Sequence, residues 1–135
     1  MLLAPQHLDT LKCLKMALIH DLAEIYTGDF TPEDNITPKQ KYQKELQAFK
    51  QLAQALEAPY LVELFNELEA AQSNEAVFVK SLDKIDTVLT VRYYDKNSRS
   101  PHKLLPEFGK YAQTKLETAP KELKNLLNQI INLNY

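Results

Sequence analysis

Glycine, cysteine and tryptophan are scarce in this chain of 135 residues. It has two glycines, Gly28 and Gly109, one cysteine, Cys13, and no tryptophan. Tight hairpins need residues that tolerate a positive φ, so two glycines argue against a fold rich in β-hairpins. A single thiol cannot form an internal disulfide and suits a reducing compartment, from which we expect a cytoplasmic location.

Long apolar runs and an excess of charge of one sign are also lacking. No apolar run approaches the ~20 residues of a membrane-spanning helix. The formal net charge is −2, and the basic residues are scattered rather than gathered into a stripe that binds a polyanion. We therefore expect neither a membrane nor a nucleic-acid polymer as a partner.

The residues that dominate the chain favour helix. Leucine, lysine, glutamate, glutamine and alanine are abundant, and all are good helix formers. The length corresponds to one domain by the usual prior of roughly 100–200 residues. We predict an all-α fold of about five helices in a single domain, residues 1–135.

Start and stop signals divide the chain into helices and two loops. The first helix is predicted from a cap at Asp9 to about residue 26, with Gly28 just past its end. Further helices are predicted at 38–56, 59–71, 74–95 and 121–133, with a short helical piece at 107–113. Residues 27–38 and 96–106 carry prolines and polar residues and are predicted to be loops.

An unusual polar group lies on the first predicted helix, in the stretch ALIHDLAEIYTGDF. His20, Asp21 and Glu24 interrupt a run so apolar that we expect neighbours on most sides of the helix. On a wheel of ~100° per residue, Asp21 lies at ~100° and Glu24 at ~40° from His20. Lys12 and Lys15 point elsewhere, so no cation on this helix joins the group.

A divalent metal ion explains this group economically, because two carboxylates and an imidazole repel or stay hydrated unless a cation joins them. Nitrogen and oxygen donors suit Mn, Fe, Co or Zn, with Mg also compatible. The alternative is a solvated edge in which Glu24 pairs with a lysine of another helix. The wheel alone leaves both interpretations open and favours the solvated edge.

A second acidic group lies on the predicted helix at 74–95. Asp83 lies at the edge of an apolar arc that includes Val79 and Ile85. It could complete a metal site begun by His20 and Asp21. The alternative is a solvated stripe with weak ion pairs, which the spacing by itself favours.

Taken together, HDLAEIYTGDFTP and SNEAVFVKSLDKID about 45 residues later resemble the HD-domain hydrolases, and among them the small 5'-deoxynucleotidase branch. The likeness extends over the intervening DNI and PKQKYQKE stretches and a tyrosine pair after the second motif. It implies an HD-like helical bundle, a divalent metal ion and a small nucleotide substrate, and it makes a homodimer plausible.

The resemblance also implies roles for five residues. His20 and Asp21 match the paired metal ligands of the family, and Asp83 matches its final metal-binding aspartate. Glu24 matches an acidic residue that acts in proton transfer or in orienting water. Asp29 matches an acidic residue at the substrate side of the site. The resemblance assigns no definite role to Lys80 and Lys84, and a purely structural role stays open for both.

The chain departs from the family pattern at its beginning. The family's first metal-binding histidine and a phosphate-binding arginine lie on a helix upstream of the HD pair, and MLLAP matches only the tail of such a helix. His7 is predicted in the connecting segment and His102 in a polar loop, so neither is assigned as a ligand. A start at an internal methionine, a fragment, or a shortened paralogue each explain the departure, and we favour the first two.

We therefore expect a metal-dependent phosphohydrolase that converts (deoxy)nucleoside 5'-monophosphates to nucleoside and phosphate, with weak or no activity in this chain. Two alternatives remain from the sequence. One is a non-catalytic HD-like helical module, and the other is an HD phosphohydrolase that acts on a different nucleotide.

Overall fold

The computed structural model describes residues 5–30, 34–98 and 103–133. Every regular element within these ranges is a helix, which confirms the all-α prediction. The seven helical segments are α1 (Thr10–Ile19), α2 (Glu24–Thr27), α3 (Pro38–Ala55), α4 (Tyr60–Glu69), α5 (Asn74–Asn97), α6 (Leu105–Lys115) and α7 (Lys121–Asn132). None of the described helices combines the length and apolarity needed to span a membrane. Residues 31–33 and 99–102, in the two predicted loops, lie outside the described ranges.

The prediction of the first helix is wrong in one respect, because the helix does not continue to residue 26. The chain makes a turn at residues 20–23 between α1 and α2. There the N–H groups of Leu22 and Glu24 bond to the carbonyls three residues earlier, at 3.0 Å each. The His20 imidazole bonds the Ala17 carbonyl, which the N–H of residue 21 would use in a continuing α-helix.

By contact density the chain divides into two units, residues 1–76 and 77–135. The first unit has an apolar core in which the rings of Phe49 and Phe65 stack with their centroids 4.3 Å apart. Ile19 of α1 and Ala23 of the turn belong to the same core. Residues 19–23 are therefore anchored on α3 and α4 through their apolar side chains, while His20 and Asp21 stay at the surface.

The apolar surface of α1 is only partly buried. Cys13, Met16 and Ile19 are buried, whereas Leu11 and Leu18 are more than 60% exposed. The expectation of neighbours on most sides of this helix is therefore not met in the part of the chain that the structure describes. Composition gives the number of apolar residues, and only the packing decides which of them are covered.

Local capping chemistry fixes the start of α3. The Gln40 N–H donates to Thr37 Oγ1 at 3.2 Å, and the Thr37 N–H donates to Gln40 Oε1 at 2.9 Å. This reciprocal capping box satisfies donors that a helix start leaves unpaired. Pro38 follows at the first helical position, where its missing N–H has no consequence. The predicted start of this helix is confirmed.

Replacing Thr37 by alanine is expected to lower the free energy of unfolding by about 1 kcal/mol, because the first turn of α3 loses its cap. Urea denaturation followed by circular dichroism measures this change. Thr118→Ala, in an exposed turn, is the matched control and should unfold at the wild-type midpoint. Equal midpoints for the two variants would contradict the role of the capping box.

The second unit is built from most of α5 together with α6 and α7. Its buried residues include Phe78 and Ile85 of α5 and Leu123 and Leu127 of α7. Gly109 of α6 lies so close to α7 that a Cβ there would be 3.2 Å from the Ile131 side chain. α6 is a full helix of 11 residues, longer than the short piece predicted from the sequence.

Candidate active site

His20 and Asp21 form a direct contact at the C-terminal end of α1. The His20 Nε2 atom lies 2.9 Å from Asp21 Oδ2, and His20 Nδ1 lies 2.7 Å from the Ala17 carbonyl oxygen. A carbonyl only accepts hydrogen bonds, so Nδ1 carries a proton and donates it. The imidazole is thereby held with Nε2 directed at the carboxylate.

This arrangement suits a shared cation. A neutral imidazole that is protonated at Nδ1 presents a lone pair at Nε2, and that lone pair faces the carboxylate of Asp21. Such a contact is favourable only when a proton or a metal ion lies between or beside the two groups. A backbone carbonyl that holds the other ring nitrogen is also how proteins fix the orientation of metal-binding histidines.

The distance between His20 Nε2 and Asp21 Oδ2 also agrees with metal binding. Two ligands at right angles, each ~2.1 Å from a metal ion, are ~3.0 Å apart. The observed 2.9 Å between Nε2 and Oδ2 matches this separation. A separation of 2.9 Å is also that of a hydrogen bond between an imidazole and a carboxylate, so it does not select one metal ion over another.

Glu24 lies at the start of α2 with its carboxylate half-buried. Burial raises the pKa of Glu24, and the nearby carboxylates of Asp21 and Asp29 raise it further, while Lys41 opposes the shift. Asp21 and Glu24 are three residues apart in a stretch of i→i−3 hydrogen bonds, and this geometry places such side chains one above the other. The wheel drawn for a continuous α-helix separated them by ~60°.

Glu45 of α3 is an acidic residue that sequence reasoning did not assign. Its side chain is buried, with 8% of the residue exposed. Its Oε1 lies 3.5 Å from Lys41 Nζ, one helical turn away. The negative charge of Glu45 also contributes to the raised pKa of Glu24. The available signal was its helical spacing with Ala48 and Phe49, which places it on the buried face of α3.

A pH experiment tests this assignment of Glu24. Because its pKa is raised in the folded protein, Glu24 contributes stability below its ordinary pKa and loses it as the pH rises through the raised value. In metal-free protein, Glu24→Gln should therefore be more stable than wild type at pH 7, on the order of a few tenths of a kcal/mol. At pH 4 the two proteins should be equally stable.

Urea unfolding midpoints at pH 4 and pH 7, with a chelator present, measure this difference. Glu63→Gln on α4, which is exposed, is the control and should follow wild type at both values. A Glu24→Gln variant that is less stable than wild type at pH 7 would contradict the account.

Asp83 lies in the second unit, on α5, where its carboxylate is half-exposed. Its Oδ2 accepts a hydrogen bond from Lys84 Nζ at 2.7 Å, and its backbone carbonyl accepts one from Thr87 Oγ1 at 3.0 Å. The carboxylate thus already carries one cationic partner from its own helix.

Within residues 5–30, 34–98 and 103–133, no group of three or more His, Cys, Asp and Glu side chains is arranged to hold a metal ion. The structure brings together His20 with Asp21, and Glu24 with its acidic neighbours. The joining of His20, Asp21 and Asp83 around one ion stays a prediction. His7 is exposed before α1, and His102 lies outside the described residues.

Comparison with known proteins gives a consistent result. The family model described as "HD domain" matches residues 1–124. The chain is 34% identical over 126 residues to 5'-deoxynucleotidase HDDC2 of Bos taurus, which covers 88% of this chain and 62% of that protein. It is 40% identical over 102 residues to the protein of the same name from Dictyostelium discoideum, covering 73% and 52%. The human protein is 36% identical over 107 residues, covering 77% and 52%.

The chain therefore belongs to the HD-domain family, and the resemblance inferred from its motifs is confirmed. Hydrolases of this family generally depend on divalent metal ions. The chain spans only about half to three-fifths of the length of these curated relatives.

Proposed function

We propose that this protein is a metal-dependent phosphohydrolase that removes phosphate from (deoxy)nucleoside 5'-monophosphates. The observation that carries the proposal is the His20–Asp21 pair, in which the Ala17 carbonyl fixes the imidazole and Nε2 lies 2.9 Å from the carboxylate, in a chain of the HD-domain family. The printed names of its relatives, which are 5'-deoxynucleotidases, supply the substrate class.

In this proposal His20, Asp21 and Asp83 hold one divalent ion. Their nitrogen and oxygen donors are compatible with Mn, Co, Fe, Mg or Zn, and the donor set includes no sulfur that would select zinc. When bound, such an ion lowers the pKa of a coordinated water and stabilises negative charge on a phosphoryl group. The Nδ1–H of His20 stays on the Ala17 carbonyl and keeps the ring oriented.

Glu24 acts as the general base and acid in this proposal. Its raised pKa places it closer to neutral pH than an ordinary glutamate, which suits a group that accepts and returns a proton. It takes a proton from the attacking water as the new P–O bond forms and the bond to the nucleoside 5'-oxygen breaks. Glu24 then returns this proton to the leaving 5'-oxygen, which departs as an alcohol. Asp29 lies on the substrate side and keeps Glu24 basic through its charge.

We also propose a cytoplasmic location and a homodimeric assembly. The free thiol of Cys13 is buried, which is compatible with a reducing compartment. The exposed leucines of α1 offer apolar surface for association. Light scattering on the purified chain measures its oligomeric state.

Phosphate release by the purified chain tests the proposed activity. The chain is freed of metal with a chelator, supplied with Mn or Co, and given 2'-deoxynucleoside 5'-monophosphates, the matching 3'-monophosphates and cyclic or other signalling nucleotides. We expect slow, chelator-sensitive release from the 5'-monophosphates. Release from a signalling nucleotide alone would indicate a different HD phosphohydrolase. No release above the protein-free rate would indicate a non-catalytic module.

A further inference from the structure

A surface pocket of about 300 Å³ lies beside the candidate active site, within the first unit. It is formed where α2 and the residues after it meet the middle of α3. The small, buried side chain of Ala48 also lines it. The residues that give it chemical character are Tyr26, Thr27, Phe30, Lys44, Gln47 and Gln51.

The aromatic residues of the pocket offer flat surfaces. Tyr26 is 53% exposed, and Phe30 is half-buried. The Nζ atoms of Lys44 and Lys41 lie 5.4 Å and 5.9 Å from the centroid of the Phe30 ring. A planar ligand that enters here can stack on an aromatic ring while remaining within reach of a cation.

The polar residues of the pocket lie on one face of α3. Gln47 and Gln51 are one helical turn apart, so their carboxamides project in the same direction. Each carboxamide both donates and accepts hydrogen bonds, and Lys44 donates only. This set complements the edge of a nucleobase, which carries donors and acceptors in one plane. The described residues that line the pocket include a single lysine and no arginine, a set that is poorly suited to a phosphate group.

The pocket is lined by α2 and α3, which also carry Glu24 and the α3 charges that act on it. Glu24 begins the short helix whose residues 26 and 27 line the pocket. On α3, the charges that act on Glu24 come from Lys41 and Glu45, and the pocket residues on this helix run from Lys44, next to Glu45, to Gln51, a rise of at most ~9 Å beyond Glu45. A volume of about 300 Å³ is at the small end of ligand pockets and suits a base rather than a whole nucleotide.

We propose that this pocket is the nucleobase subsite, with Tyr26 or Phe30 stacking on the base and Gln47, Gln51 and Lys44 bonding its edge. The inference rests on the proposed function, because it names the part of this chain that recognises the substrate. The 5'-phosphate of the same nucleotide then extends along α2 and α3 toward His20 and Asp21.

Binding of nucleosides without phosphate separates this inference from the catalytic proposal. Saturation-transfer NMR and equilibrium dialysis with 2'-deoxyguanosine and thymidine are carried out on metal-free chain, where no hydrolysis occurs. We expect both nucleosides to bind to wild type, and Gln47→Leu or Phe30→Ala to raise the Kd about tenfold. Gln43→Leu, an exposed position on α3 outside the pocket, is the matched control and should bind like wild type.

A second test uses a substrate that has the sugar and the phosphate but no nucleobase. If the chain hydrolyses 5'-monophosphates, Gln47→Leu should raise KM for these and leave KM for 2-deoxyribose 5-phosphate unchanged. Circular dichroism confirms that each variant is folded, and Gln51→Leu serves as a second variant if one fails. The inference is overturned if wild type binds no nucleoside, or if the folded pocket variants bind as wild type does. Nucleoside binding without any phosphate release would overturn the catalytic proposal alone.

Discussion

Replacing His20 by alanine is expected to reduce metal-dependent phosphate release by at least about 100-fold, to a level close to the protein-free rate. The variant removes the imidazole whose Nε2 lies 2.9 Å from Asp21. The remaining carboxylate would keep less affinity for a divalent ion and would lose the orientation that the Ala17 carbonyl supplies through Nδ1. The measurement is phosphate release from a 2'-deoxynucleoside 5'-monophosphate in the presence of Mn or Co.

His7→Ala is the matched control for this experiment. His7 is exposed in the segment before α1, and no role is assigned to it. The two variants remove the same side chain at two surface positions, so a difference between them reports the site and not the general loss of a histidine. Wild-type activity in His20→Ala would exclude this histidine from the metal site.

Asp83→Asn is expected to reduce phosphate release by a similar factor, about 100-fold. The amide keeps the size of the side chain but removes the negative charge that a divalent ion requires. The same change breaks the ion pair with Lys84, but a half-exposed pair of this kind is worth less than about 1 kcal/mol. The variant should therefore stay folded, and its loss of activity should report the site.

Asp86→Asn, three residues further along α5 and exposed, is the control and should retain activity. Circular dichroism and urea unfolding of both variants check that they are folded. If Asp83→Asn and Asp86→Asn have equal activity, Asp83 belongs to a solvated stripe and has no part in metal binding.

The starts of several helices could be predicted because their signals are local. Thr37 and Pro38 begin α3 through a cap and a fixed φ angle, and Ser73 Oγ accepts from the Ala76 N–H at the start of α5. Neither interaction depends on the rest of the fold. The sequence is therefore sufficient for these boundaries.

The break between α1 and α2 could not be predicted in the same way. Residues 9–26 contain no glycine or proline, and the apolar pattern runs through the turn. The structure tightens there to hydrogen bonds of three-residue spacing while His20 bonds the Ala17 carbonyl. A helical wheel assumes a regular α-helix, which the chain does not form at this turn, so the ~60° that it gives between Asp21 and Glu24 does not apply.

The candidate site was predictable only in part for a related reason. His20 and Asp21 are adjacent in sequence, so their contact needs no tertiary information. Glu45 acts on Glu24 because α3 packs against α2, and this packing cannot be derived from either segment alone. Asp83 was assigned through the family resemblance, since its own spacing favoured a solvated stripe.

The central claim is that side chains from two distant segments, at residues 20–21 and at residue 83, bind one metal ion. Isothermal titration calorimetry of the metal-free chain with Mn tests this claim without requiring activity. We predict one Mn per chain for wild type and His7→Ala, and an affinity at least about tenfold weaker in both His20→Ala and Asp83→Asn. Wild-type Mn affinity in Asp83→Asn, with weakened affinity in His20→Ala, would contradict the claim.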